Sequence, residues 1–233
     1  MALGHGIDTG DRVAGDATAS GLPPGLLFAS AWKGRRVFVL GGGPSLGKID
    51  PGLLSGENVI GTNRAYERFP ECQILVSTDN PFWKDSRSGI YGDVVKQLFK
   101  EYSGAKIGLV SLSDPEPGIL YLRNAGKDGI PISFSSGVYH GNNSGYMAVQ
   151  IALLLGCDPI YLLGFDMRFS DDGRSHFHGG HPRKTQVKDF SKMLPSFKKL
   201  SESVPLWRII NLTEGSRMIC FPMQKISEVL YAH

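Results

Sequence analysis

From Arg35 onward the chain alternates short apolar runs with longer helix-like stretches, and no other feature limits its fold as much. The runs fall at 36–40 (RVFVL), 58–62 (NVIGT), 73–77 (QILVS), 106–111 (KIGLVS), 159–163 (PIYLL) and 206–210 (LWRII). Each has strand length. Helical patterns lie between them at 91–102 (YGDVVKQLFKEY), 144–155 (SGYMAVQIALLL) and roughly 187–203, with a short one at 223–231. The 144–155 stretch is apolar nearly all round, which predicts a buried helix. Strands alternating with helices predict an α/β fold: a doubly wound, mostly parallel, Rossmann-like sheet in a single domain over 35–233. The first residues are rich in Gly, Asp, Ala and Thr and close with Pro23-Pro24. Segment 1–34 therefore reads as a loosely structured N-terminal arm.

Bulk composition narrows the class further. At 233 residues and 41% hydrophobic, the chain can bury a sizeable core. A net charge of +3 is too weak to indicate nucleic acid, though DNA as an acceptor stays open. Cys72, Cys157 and Cys220 are far apart and odd in number, so they read as buried thiols rather than as zinc ligands or disulfides. No run of apolar residues is long enough for a membrane-spanning helix. The N-terminus lacks the basic start and apolar run of a secretory signal, and a cytoplasmic location is the expectation.

In a doubly wound sheet, ligands sit at the carboxyl ends of the strands. That rule singles out 41–47 (GGGPSLG), 62–64 (TNR), 77–83 (STDNPFW), 140–145 (HGNNSG) and 164–181. The glycine turn comes close to two nucleotide loops. Against the dinucleotide fingerprint, Gly41 and Gly43 fit, but Leu46 takes the third glycine position and the next strand ends in Thr62-Asn63 instead of an acid. Against the P-loop, Gly42, Gly47 and Lys48 fit, but Ile49 replaces the hydroxyl that binds magnesium, and Pro44 removes an N–H from the cradle. What remains predicts a general anion or nucleotide pocket, with free N–H groups and the Ser45 hydroxyl facing the ligand.

The second half of the cleft is expected from 140–181. Asn143 or Ser144 can cap the buried helix, whose first turn would aim N–H groups at an anion while Gly145 allows close approach. Asp166 follows a strand end, where a carboxylate can hold a ribose or a loop. The run SHFHGGH places His176, His178 and His181 together. With no carboxylate at helical spacing, the pattern suits a general base better than a metal, because imidazole titrates near neutrality.

The order VFVLGGGPSL, GTNRAY, a strand ending before Asn80-Pro81, NSGYMAVQIALLLGCDPIYLLGFDM and GHPRKT resembles the bacterial CMP-sialic-acid-dependent sialyltransferases. It also resembles the family typified by archaeal 6-hydroxymethylpterin diphosphokinase, whose domain recurs in bacterial and phage proteins. The likeness runs over about 35–222 and is strongest at GGGPSL and 143–167. It implies that Gly41, Gly42, Gly43, Pro44 and Ser45 cradle the nucleotide's phosphate and ribose. Asn63, Asp79 and Asn80 would lie along the nucleotide, and Asn143, Ser144 and Gly145 at its phosphate or sugar. Gly164 and Asp166 would border base and ribose. His181 matches the sialyltransferase general base, with His178 the second choice. The chain departs from the sialyltransferases at Gly42, where they carry asparagine, at Gly141, where they carry arginine, and after Phe165, where their tyrosines have no match.

Three functions follow as expectations. The first is a nucleotide-sugar-dependent glycosyltransferase with a histidine base, a hydroxyl-bearing acceptor and no required cofactor. The second is a magnesium-dependent pyrophosphokinase acting on a hydroxymethyl acceptor, with Asp79 and Asp166 near the metal. The third is a non-catalytic nucleotide-binding module.

Overall fold

The computed structural model describes residues 23–110, 115–179 and 189–231. Its central sheet uses β1 (Val37–Leu40), β2 (Val59–Thr62), β3 (Ile74–Ser77), β4 (Ala105–Leu109), β5 (Leu120–Leu122), β8 (Ile160–Leu163) and β9 (Ile209–Asn211). The seven strands lie in the order β5-β4-β3-β2-β1-β8-β9 and all pair in parallel. The chain walks outward from β1 to β5, then returns to lay β8 and β9 on the other flank of β1. The order therefore reverses between β1 and β8, where Val37 to Leu40 register with Ile160 to Leu163. A small separate pair, β6 (Asn124–Gly126) with β7 (Val138–Tyr139), stands outside the main sheet.

Both faces of the sheet are covered, which is why its strands read as unbroken apolar runs. Val37 and Val39 turn to one core, with Trp32, α3 (Ser144–Leu154) and α4 (Leu194–Ser201). Phe38 and Leu40 turn to the other, with α1 (Asn80–Ser88), α2 (Asp93–Glu101) and Val229 of α5 (Ile226–Leu230). Nine of the first nine residues of α3 are buried, so its lack of a polar face is the mark of its position. The architecture is a single-domain, doubly wound α/β fold of Rossmann type.

Four details depart from the sequence reading. The described part of the expected arm is a 3-10 helix, Pro24–Trp32, with Leu26, Ala29 and Trp32 in the core, so the domain begins well before residue 35. The expected strand at 206–210 starts only at Ile209. Pro205 fixes the backbone before it, and Leu206–Arg208 forms a turn that leaves Leu206 and Trp207 exposed. The expected helix at 187–203 is, where described, a short turn at Phe190–Lys192 followed by α4. Pro195, in the first turn of α4, lacks the N–H that a continuous helix would need. Finally, α1 was hidden inside a segment read only as a strand tip.

Among the cysteines, Cys72 and Cys157 are buried and Cys220 is half-buried. Burial pushes the Cys72 thiol up to about 11 and the Cys157 thiol to about 12, from 9.0. Their neutral form thus favours the folded state fully below pH 9.0. That contribution is lost as the pH rises from there through about 11 to 12, because the unfolded chain gives up its thiol protons first. The expected result is a melting temperature that falls above pH 9.0, and a native protein in which neither thiol reacts with a disulfide reagent at pH 8. Prompt labelling of Cys72 or Cys157 would contradict this.

Candidate functional site

The glycine turn leaves β1 at the point of strand reversal and is knitted to the end of β8. Gly41 N–H donates to the Leu163 carbonyl at 2.7 Å, and Gly43 N–H to that of Gly164 at 2.9 Å. A β-carbon at Gly41 would stand 2.5 Å from the Gly164 oxygen, and one at Gly43 would stand 2.0 Å from Oδ2 of Asp166. The glycines thus serve the close approach of protein to protein. Asp166 is buried and accepts both the Ser45 N–H, at 3.0 Å, and the Ser45 O–H, at 2.8 Å. The amides of Gly41 and Gly43 are thus spent within the protein, where the sequence suggested free N–H groups, and of the two roles open to Asp166, ribose or loop, the structure shows the loop, which it holds through Ser45.

The start of α3 is satisfied in the same inward way. The Asn143 side chain caps it, accepting from Gly145 N–H at 2.6 Å, while the Asn143 carbonyl takes Tyr146 and Met147 N–H. A Gly145 β-carbon would meet the Phe165 ring at 2.7 Å, so that glycine packs against β8's exit and not against a ligand. The first turn therefore offers an anion fewer free amides than the sequence suggested.

Ser144 instead joins two strand tips. Its Oγ donates to Asn63 Oδ1 at 3.2 Å, lies 3.1 Å from Thr78 Oγ1 and accepts Thr78 N–H at 3.1 Å. Ser77 Oγ donates to the same Asn63 oxygen at 2.8 Å. Asn63 sits at φ 49°, a left-handed conformation that asparagine tolerates better than most residues. The result is a neutral hydrogen-bonded floor built from the ends of β2 and β3 and the head of α3.

Over this floor lies a cavity of about 650 Å³, within the roughly 300–1,000 Å³ usual for small-molecule sites. Gly42, Asn63, Asp79, Asn143, Ser144 and His178 line it. Residues 169–178 contribute its opposite wall, including Phe169 and Phe177. Phe177 N–H donates to the Gly42 carbonyl at 3.2 Å, which ties that wall to the glycine turn.

Arg64 holds the same wall from below. It is buried, pairs through Nε and Nη2 with both carboxylate oxygens of Glu67, and stacks 4.8 Å from the Tyr91 ring centroid. Its Nη1 donates to the Gly179 carbonyl at 2.8 Å and lies 3.1 Å from His178 Nδ1. The same Nδ1 lies 3.3 Å from the Gly179 carbonyl, so the ring's tautomer sets whether it accepts from Arg64 or donates to Gly179. His176 stacks on His178 with ring centroids 5.1 Å apart.

The site residues read from the sequence thus divide. Gly42, Asn63, Asp79, Asn143, Ser144 and His178 converge on the cavity. Gly41, Gly43 and Asp166 line a small recess behind it, of about 30 Å³, and Gly164 borders both that recess and the cavity on the far side of the glycine turn. Asn80 borders a neighbouring cavity, Ser45 lies on the far side of the glycine turn, and Pro44 begins the turn that Asp166 holds. His181 lies outside the described residues. Arg64 and Tyr91 were missed as individuals. GTNRAY carried the signal for Arg64, a cation directly after a strand tip, but its partners lie too far along the chain to be read. Among the described residues no cluster of three metal-ligating side chains occurs. No helix among them is long and apolar enough to cross a membrane. Comparison with known proteins found no matching family model, no matching curated protein and no matching solved structure.

Proposed function

We propose that the protein is a nucleotide-binding transferase, and that glycosyl transfer from a nucleotide-sugar is its reaction. One observation carries this reading: a cavity of nucleotide size at the carboxyl ends of parallel strands, floored by Asn63, Ser144 and Thr78 and walled by aromatic rings and histidines. Neutral amide and hydroxyl groups suit the ribose and base, and the exposed ring of Phe169 suits stacking. In the tautomer that accepts from Arg64 at Nδ1, His178 Nε2–H would meet a departing phosphate oxygen as a donor. His181 would take the acceptor's proton. Pyrophosphoryl transfer fits less well. Asp166 lines the small recess behind this cavity, which leaves Asp79 as the acidic side chain lining the cavity itself.

Calorimetric titration with CMP, UDP, GDP and ATP, each with and without magnesium, tests this reading. The expected result is micromolar to millimolar binding of one pyrimidine or purine diphosphate series without a need for magnesium. Asn63→Ala should weaken it about tenfold or more, and His181→Ala should abolish transfer while leaving binding intact. Binding of no nucleotide removes the reading. Binding without turnover, unaffected by His181→Ala, assigns a non-catalytic module.

A further inference from the structure

A second, larger cavity opens on the other side of the glycine turn. It measures about 890 Å³ and lies between the turn Pro44–Lys48, the end of β8, residues 212–215 and the beginning of α5. Its walls are held by many bonds. Phe165 N–H donates to Thr213 Oγ1 at 3.0 Å, Arg217 N–H to the Asp166 carbonyl at 2.9 Å, and Leu212 N–H to the Leu162 carbonyl at 2.9 Å. The partition toward the first cavity is the Ser45–Asp166 anchor, with Ser45 lining this side.

The chemistry of this cavity differs from that of the first. Three cationic side chains, Lys48, Arg168 and Lys225, line it with two acidic ones, Glu214 and Glu228. Glu228 is partly engaged, accepting the Lys225 N–H at 3.2 Å. Among the described residues Lys48 and Lys225 form no ion pair. Arg168 is set in place: its Nε donates to the Gly215 carbonyl at 2.9 Å, and the guanidinium lies across that glycine, 3.1 Å from where a β-carbon would stand. Among the described residues its one ion pair is with Asp171, 3.8 Å away and fully exposed, so the pairing is weak. Ile49, Leu163, Met223 and Ile226 supply apolar surface beside these charges.

We propose that this cavity is a second ligand site, taking a small organic anion: a carboxylate or phosphate carried on an apolar body. Arg168 and Lys48 receive the charge, and the Ile49, Met223 and Ile226 side chains receive the body. The site is distinct from the nucleotide cavity and does not depend on the function proposed for it.

The test is a fluorine NMR titration of the full chain with 4-(trifluoromethyl)benzoate and with the neutral, isosteric 4-(trifluoromethyl)benzamide. The benzoate is expected to bind saturably, the amide about tenfold or more weaker, and the Lys48→Met/Arg168→Met double variant to lose a similar factor. Saturating CMP should leave the benzoate signal unchanged. Should Arg168→Met lower the melting temperature, Lys48→Glu and Lys225→Glu, on exposed side chains, provide the same comparison. Equal binding of the amide, undiminished binding in the variants, displacement by CMP, or no saturable benzoate binding each overturns the proposal.

Discussion

Gly43→Ala is expected to yield a protein that melts about 10 °C or more below the wild type, or that does not fold at all. The backbone at Gly43 is ordinary, with φ −70° and ψ 163°, so strain in the main chain is not the reason. The reason is space. The added β-carbon would stand 2.0 Å from Asp166 Oδ2, 2.7 Å from Asp166 Cγ and 2.6 Å from the Gly164 oxygen. Two of those atoms belong to the carboxylate that holds Ser45, and the third accepts Gly43's own N–H. Relief requires Asp166 to move, which breaks two hydrogen bonds to a buried charge at roughly 1.5–3 kcal/mol each. Such a loss is a large part of a typical stability of about 5–15 kcal/mol. At about 2–4 °C per kcal/mol for a chain of this size, the fall in melting temperature follows. Gly42→Ala is the control, because its β-carbon would lie 3.6 Å from a His176 ring carbon, an ordinary contact. If both variants melt within about 2 °C of the wild type, the anchoring role of Asp166 is wrong.

Arg64→Met should cost nearly as much, for an electrostatic reason. The Arg64 and Glu67 side chains are 8% and 14% exposed, so removing the guanidinium strands a carboxylate in a poorly hydrated place. Breaking a buried pair from one side costs about 3–5 kcal/mol, whereas replacing both partners by apolar groups is often neutral. The double variant Arg64→Met/Glu67→Met should therefore recover most of the melting temperature lost in the single one. It should not recover the wall of the cavity. Gly179 and His178 would still lack their Arg64 partner, and amide hydrogen exchange at 177–179 is expected to rise in both variants. Arg64→Lys should behave like the single variant, since one ammonium cannot span two carboxylate oxygens and still reach the Gly179 carbonyl. Full stability in Arg64→Met would show that the pair contributes little.

Much of the fold could be read from the chain because its signals are local. VFVL, ILVS and IYLL announce strands buried on both faces, and SGYMAVQIALL announces a buried helix, each within a dozen residues. Proline set the limits of that reading. Pro195 and Pro205 divided or shortened elements that apolar pattern alone had run through, and Pro81 opened a helix inside a stretch that looked like a loop. The candidate site was half legible. Asn63, Asn143 and Ser144 were marked by their place at strand and helix ends, and they do share a cavity. The glycine turn misled, because a bend that spares room for a phosphate and one that spares room for a neighbouring carboxylate are written with the same residues.

By itself, then, the amino-acid order determined the parallel sheet, its doubly covered faces and the edge at which polar groups gather. Only the tertiary structure decided what those groups do there. Asp166 meets Ser45 across 121 residues, and Arg64 meets His178 across 114. Periodicity is a property of neighbours in sequence, while the choice of which donor satisfies which buried acceptor is made between segments that meet only when the sheet has formed.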